Sequence, residues 1–384
     1  MDQHDASDAP KPVSKDASLA ARLRERIRAG GPISFRDWME AALYDSAEGY
    51  YRARRRTRWG REGDYRTGPE RSPLFAATFA GYFAGLYQHL GRPHSWTIIE
   101  AGAGAGHFAR GLLETLQRDY GEVFRATRYL IDESGEDARA ESQHSLAQFK
   151  ERVEYRRLSE LASPLDACLI FSNELLDALP VHRVKMLHGR LSELCVGLNA
   201  ESEFEWVVCE PTDARLSSYF EDAGILLEEG RVAEVNLAAG DWLRRAARVV
   251  GRGYILTVDY GAEAADLYSA PDRREGTLRA FQRHRFADDI LAHPGEQDLT
   301  TTVDWTYLKR VGEECGLRTL LFERLDQFLL NAGLLDQLQR LAAHARDGAE
   351  NLILHTGARE MILPGGMAAS FQVLVQSSSL NMPA

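Results

Sequence analysis

Seven consecutive residues, Glu100-Ala101-Gly102-Ala103-Gly104-Ala105-Gly106, place a carboxylate and three glycines in one short bend. Without a Cβ, glycine lets a bend turn tightly and lets a ligand approach the main chain, and the free N–H groups at the start of a following helix favour an anionic group. A dinucleotide fingerprint needs its third glycine three positions after the second, and that position here is His107. The spacing therefore speaks against a nicotinamide-dependent oxidoreductase. Beyond Tyr129-Leu130-Ile131 stand Asp132 and Glu133, either of which can accept the two hydroxyls of a ribose.

A second constellation lies in Ser172-Asn173-Glu174-Leu175-Leu176-Asp177-Ala178-Leu179-Pro180. Two carboxylates three residues apart, Glu174 and Asp177, can grip a guanidinium through its planar fork and favour its loss of a proton, with Asn173 beside them. The same acids would also suit a helix N-terminus, where they complement the dipole. Asp259-Tyr260 adds an acid and an aromatic, and His284 and Asp298 fall in the later stretch 276–304. A lone histidine is more often structural than catalytic, so His284 ranks below the carboxylates as a catalytic candidate.

These groups need elements to hold them at one edge. From Trp96 onward short apolar runs alternate with helical spacing, the pattern of a parallel sheet covered on both faces. Strands are expected at Trp96–Glu100, Arg128–Ile131, Val153–Tyr155, Ala167–Ser172 and Gly253–Asp259, with a helix through Phe108, Leu112, Leu113 and Leu116 directly after the glycine bend. Leu317–Leu325 and Phe371–Gln376 read as an antiparallel pair closing one sheet edge. Between Val181 and Glu210 the period changes to two, which predicts an antiparallel meander inserted at about 181–210. Ahead of the sheet, Leu19, Leu23 and Ile27 recur at helical spacing, and Ser34 with Asp37 forms a capping pair opening a second helix. The expected division is a disordered tail over 1–17, a helical extension and loop over 18–92, and an α/β domain over 93–384.

The bulk numbers narrow the classes. With 46 Lys and Arg against 57 Asp and Glu, the net charge of −11 opposes broad attraction to nucleic acid, and no window has the roughly 20 apolar residues that a membrane span requires. The basic run Arg52 to Arg61 is a solvated loop or a contact for an acidic partner. Four scattered cysteines lack the spacing of a zinc or redox site, so no metal is expected, and the start of the chain lacks a signal or transit pattern. A reducing, cytoplasmic location follows as the expectation.

Glu100-x-Gly-x-Gly-x-Gly resembles the glycine motif of class I S-adenosylmethionine-dependent methyltransferases. Further blocks resemble, in order, one family, the MidA-type methyltransferases related to a mitochondrial assembly factor of respiratory complex I. They are Gly31-Pro32-Ile33-Ser34, Gly49-Tyr50-Tyr51, Gly63 to Glu70, Asn173 to Pro180, Asp259-Tyr260-Gly261, Gly276 to Arg279, His284, Pro294-Gly295, Asp298-Leu299-Thr300 and Val303-Asp304. The resemblance implies a doubly wound, mostly parallel seven-stranded class I methyltransferase sheet. It implies S-adenosyl-L-methionine as cofactor, with Glu100, Gly102, Gly104, Gly106, Asp132 or Glu133, and Asn173 as its binding residues. It also implies protein arginine dimethylation, the activity ascribed to the mitochondrial branch, without implying the target; a respiratory dehydrogenase subunit is one candidate substrate, and the alternative is a cofactor-binding assembly factor that holds a partner with little or no catalysis. Two departures stand out: Glu133 is an acid where the family pattern is apolar, and Gly366 to Phe371 follows the family's C-terminal pattern only loosely.

Overall fold

A computed structural model describes residues 17–52, 72–162, 164–282, 285–363 and 366–378. Helix α1 (Leu19–Gly30) is capped by Ser18 and α2 (Phe35–Tyr44) by Ser34, whose hydroxyl accepts the Asp37 N–H at 3.1 Å. The two-residue strand β1 (Ile33–Ser34) lies between them, and α3 (Pro73–His89) starts with proline in its first turn.

Four parallel strands follow: β2 (Trp96–Ala101), β3 (Thr127–Asp132), β4 (Val153–Tyr155) and β5 (Cys168–Asn173). Helix α4 (His107–Asp119) leaves the glycine bend directly. Next come β6 (His182–Leu187), β7 (Arg190–Leu198), β8 (Phe204–Cys209) and β9 (Val232–Val235), and then the long β10 (Gly253–Ala262). Short strands β11 (Arg279–Gln282), β12 (Arg285–Phe286), β13 (Asp298–Thr300) and β14 (Val303–Asp304) precede β15 (Leu317–Arg324) and β16 (Phe371–Ser378).

The large sheet runs β15-β16-β10-β5-β2-β3-β4, with β14 paired to the end of β10. Strand β16 alone runs against the other strands of this sheet, and its antiparallel pairing with β15 is the expected closing pair at the edge. Every residue of β2 is buried, as the central strand of a sheet covered on both faces must be. Its alternate side chains feed two cores: Ile98 joins Phe79, Phe83 and Phe108 on one face, and Ile99 joins Ile170, Trp242 and Leu243 on the other.

The meander β6–β7–β8 belongs to a second, five-stranded sheet of order β1-β7-β6-β9 with β8 on β7. Strand β1 pairs Ile33 with Val196 and Ser34 with Cys195. Helices α1 and α2 consequently share a core with Val181, Val196, Leu291 and Leu299, while α3 packs on the large sheet. The stretch 18–92 divides its packing between two cores. Among the described residues no helix is long and apolar enough to cross a membrane.

Register sets the site. Ala101 lies opposite both Asp132 and Ser172, and Asn173 lies opposite Val258. The glycine bend, the Asp132-Glu133 corner, the Asn173–Pro180 segment and Asp259 therefore emerge together at the carboxyl rim of the sheet, where open α/β folds bind ligands.

Candidate active site

The bend after β2 uses its glycines for conformation. Gly102, Gly104 and Gly106 have φ of +73°, +53° and +78°, a region that other residues enter only at a cost. Gly106, the N-cap of α4, is also crowded, since a Cβ there would stand 2.9 Å from Ser142 Cβ. The Gly102 N–H is bonded to the Asp132 carbonyl at 2.9 Å, which ties the bend to the tip of β3.

Glu100 is 5% exposed and its Oε2 accepts the Tyr129 hydroxyl at 2.6 Å. Burial pushes its carboxyl up to about 8; the Tyr129 bond opposes that rise and the charge of Glu133 adds to it. Glu133 is held by main chain on two sides: Oε2 accepts the Gly104 N–H at 2.9 Å and Oε1 accepts the Gly135 N–H at 2.7 Å. Its pKa is raised by burial despite those bonds. Asp132 accepts the Leu158 N–H at 3.0 Å, and Arg157 lies at 3.4 Å from its other oxygen.

The second constellation is a strained turn. Glu174 follows β5 at φ +51°, its N–H bonded to the Val258 carbonyl at 3.0 Å and its Oε1 accepting from Asn173 Nδ2 at 3.2 Å. Asp259, fully buried in β10 one residue past its last pairing with β5, anchors what comes next. Its Oδ2 accepts the N–H groups of Leu176 at 2.9 Å and Asp177 at 3.3 Å, and its Oδ1 accepts that of Tyr260 at 2.9 Å. Burial and the nearby charge of Glu174 push Asp259 up to about 8 in spite of these donors. Asp177 is 6% exposed, and its Oδ1 has no hydrogen-bond partner among the described residues. Burial first, then Asp259, Glu174 and Asp298, raise its pKa well above the carboxylate range; the Tyr260 hydroxyl is near enough to counter this slightly without the geometry of a hydrogen bond.

One cavity of about 690 Å³ joins the two constellations. Glu100, Gly102, Gly104, Asp132, Glu133, Asn173, Glu174 and Asp177 all line it; Gly106 shapes the bend without lining it, and His284 and the Gly63–Glu70 block lie outside the described residues. Sequence reading missed the contribution of α2 and the turn after it. The Tyr44 hydroxyl donates to the Ala178 carbonyl at 3.0 Å, and the Tyr51 hydroxyl donates to Asp298 Oδ1 at 2.6 Å. Tyr51 and Asp298 both lay in quoted motifs, but nothing local joins positions 247 residues apart. Among the described residues no cluster of three or more His, Cys, Asp or Glu is arranged to hold a metal ion.

Residues 78–323 match the model of a family described as "Putative S-adenosyl-L-methionine-dependent methyltransferase". Among curated proteins, the chain is 26% identical to the mitochondrial protein arginine methyltransferase NDUFAF7 homolog of Drosophila melanogaster, over 95% of this chain and 86% of that protein. It is 23% identical to the human NDUFAF7 protein, over 77% and 69%. Among solved structures, a Burkholderia thailandensis protein bound to S-adenosyl-homocysteine is 29% identical, with a TM-score of 0.84 over 94% of this chain and 92% of that one. A second structure from that species is 30% identical, with a TM-score of 0.80 over the same shares.

Proposed function

Because the chain belongs to the S-adenosyl-L-methionine-dependent methyltransferase family whose model it matches, we propose that it methylates a guanidinium nitrogen of arginine in a protein partner. The donor set suits the cofactor: a left-handed glycine bend at a helix start for its carboxylate, the buried Glu100 for its ammonium, and a strand-end acid for its ribose. We assign the ribose to Asp132. Both oxygens of Glu133 are already engaged by main-chain N–H groups, whereas Asp132 holds one such group and a displaceable Arg157.

When bound, S-adenosyl-L-methionine supplies an electrophilic methyl group on a sulfonium that leaves as a neutral thioether. The protein's part is to place an acceptor nitrogen in line, exclude water and take a proton. A guanidinium stays charged at neutral pH, so gaining the methyl group must be matched by loss of one N–H proton. Glu174 and Asp177 are the acids placed to orient that group; the entering cation favours their charged forms, which can then take up the proton, with Asn173 holding Glu174.

The observation that carries this reading is Asp177: a buried carboxylate with an unpartnered oxygen, facing the cavity that contains the glycine bend. The relatives named as protein arginine methyltransferases support the acceptor. On the same footing, we assign the partner to a respiratory dehydrogenase subunit awaiting assembly, met in the bacterial cytoplasm. The test is calorimetry followed by methyl incorporation. S-adenosyl-homocysteine should bind at micromolar concentration and NAD should not. Glu174→Gln and Asp177→Asn should retain that binding and lose labelling of arginine in a copurifying protein. Equal labelling by wild type and variants would overturn the catalytic roles.

A further inference from the structure

The acceptor end of the cavity is built from parts of the chain that the cofactor end does not use. Tyr44 and Tyr51, from α2 and the turn after it, face one another with ring centroids 5.5 Å apart. Asp298, on β13, is 5% exposed, lines the same cavity and accepts the Tyr51 hydroxyl at 2.6 Å. Asp177 is tied to the same stretch of chain: its carbonyl accepts the Thr301 N–H at 2.9 Å, three residues beyond Asp298. The charges of Asp177 and Asp298 both act on Tyr44, and that of Asp298 acts on Asp177.

Ionised together, the buried Asp177 and Asp298 would repel and each would bear the cost of leaving water, so a cation held beside them favours their charged forms. Such a pair persists where something positive is to be held between the acids or beside them. Asp298 has a neighbour that orients it, but Asp177 Oδ1 is buried, unpartnered among the described residues and open to the cavity. The surrounding surface is aromatic, with Tyr44, Tyr51 and Tyr260, and carries two of the chain's own cations, Arg52 beside Tyr51 and Arg279 at 5.2 Å from the Tyr260 ring centroid. Aromatic faces with carboxylates between them are the complement of a flat cation, attracted by the ring quadrupole and forked to the oxygens.

We propose that Asp298, oriented by Tyr51, forms with Asp177 the carboxylate pair that selects a cationic acceptor side chain, so that the segment 35–51 is part of the acceptor site. This deepens the arginine reading and rests on it. Asp298 touches the acceptor and sets specificity; Tyr51 is a positioning residue that keeps the Asp298 carboxylate turned into the cavity.

The test uses full-length protein saturated with S-adenosyl-homocysteine and titrated with N-acetyl-arginine amide, N-acetyl-citrulline amide and N-acetyl-lysine amide. Citrulline has nearly the shape of arginine without its charge. Wild type should bind the arginine probe at least tenfold more tightly than the citrulline probe. Asp298→Asn should erase most of that preference, and Tyr51→Phe should reduce it about three- to tenfold, both with S-adenosyl-homocysteine affinity within threefold of wild type. A preference for lysine over arginine would retain the cation pocket but overturn the guanidinium class. Loss of charge selectivity in wild type, or full selectivity in Asp298→Asn, would overturn the inference. If Asp298→Asn does not fold, Tyr51→Phe decides alone, and unchanged selectivity there overturns it. Failure of wild type to bind S-adenosyl-homocysteine would instead strike the methyltransferase reading beneath it.

Discussion

The Glu133 carboxylate reaches from the tip of β3 to the glycine bend and accepts the Gly104 N–H at 2.9 Å. With its other oxygen on the Gly135 N–H at 2.7 Å, it staples two loops whose main chain would otherwise have to find water. Glu133 is therefore engaged structurally, beside Asp132, to which we assign the ribose.

That division predicts two distinct phenotypes. Glu133→Gln turns one acceptor into a donor facing an N–H group, and should cost about 1–3 kcal/mol in denaturant unfolding. Asp132→Asn keeps an oxygen that can accept the Leu158 N–H and loses the ion pair with Arg157, so it should cost less than about 1 kcal/mol, yet weaken S-adenosyl-homocysteine binding at least tenfold by calorimetry. Matching losses of stability and affinity in both variants would sink the assignment of the ribose to Asp132.

Glu100 predicts a pH dependence. Its folded pKa of about 8 exceeds its ordinary 4.5, so between these values the native state holds a proton that the unfolded state has lost. Stability attributable to this group therefore falls as pH rises through that window. Glu100→Gln removes the penalty, and its stability relative to wild type should increase by at least about 1 kcal/mol from pH 5 to pH 8 in denaturant titrations. Binding of S-adenosyl-homocysteine at pH 7 should release a proton from wild type and not from the variant, read by calorimetry in buffers of different ionisation enthalpy. A constant stability difference across the window would refute the shift.

Gly106 combines a left-handed backbone with crowding from Ser142. Gly106→Ala should cost about 1–2 kcal/mol for the dihedral alone, plus the clash, and should weaken S-adenosyl-homocysteine binding more than tenfold. Adding Ser142→Gly relieves the Cβ contact but not the dihedral, so the double variant should recover only part of the loss. Full recovery would mean that the backbone conformation at Gly106 is not needed.

Asp259 touches neither end of the site directly in its role as anchor, since its oxygens hold the N–H groups of Leu176, Asp177 and Tyr260. Asp259→Asn should lower kcat at least tenfold, with S-adenosyl-homocysteine affinity within threefold, because Asp177 is displaced while the glycine bend is not. An unchanged kcat, or a change confined to cofactor affinity, would contradict the anchoring role.

What the sequence determined by itself is the set of features made by neighbours along the chain. Strand, glycine bend and helix follow one another within Trp96 to Asp119, and their conformations depend on residue type and on contacts a few positions away. The two sheet periods, the edge pair β15–β16 and the meander were legible for the same reason: alternation and burial are written locally. The tertiary structure alone decided how the acids are employed. Asp132 and Glu133 are adjacent and chemically alike, but β3 ends between them, and the departing chain sends them to different partners, Arg157 and Leu158 for one and Gly104 and Gly135 for the other. Tyr51 and Asp298 meet only because β1 enters the second sheet and carries α2 over the rim of the first. A side chain's partner across 247 residues is chosen by topology and packing, and no periodicity along the chain records it.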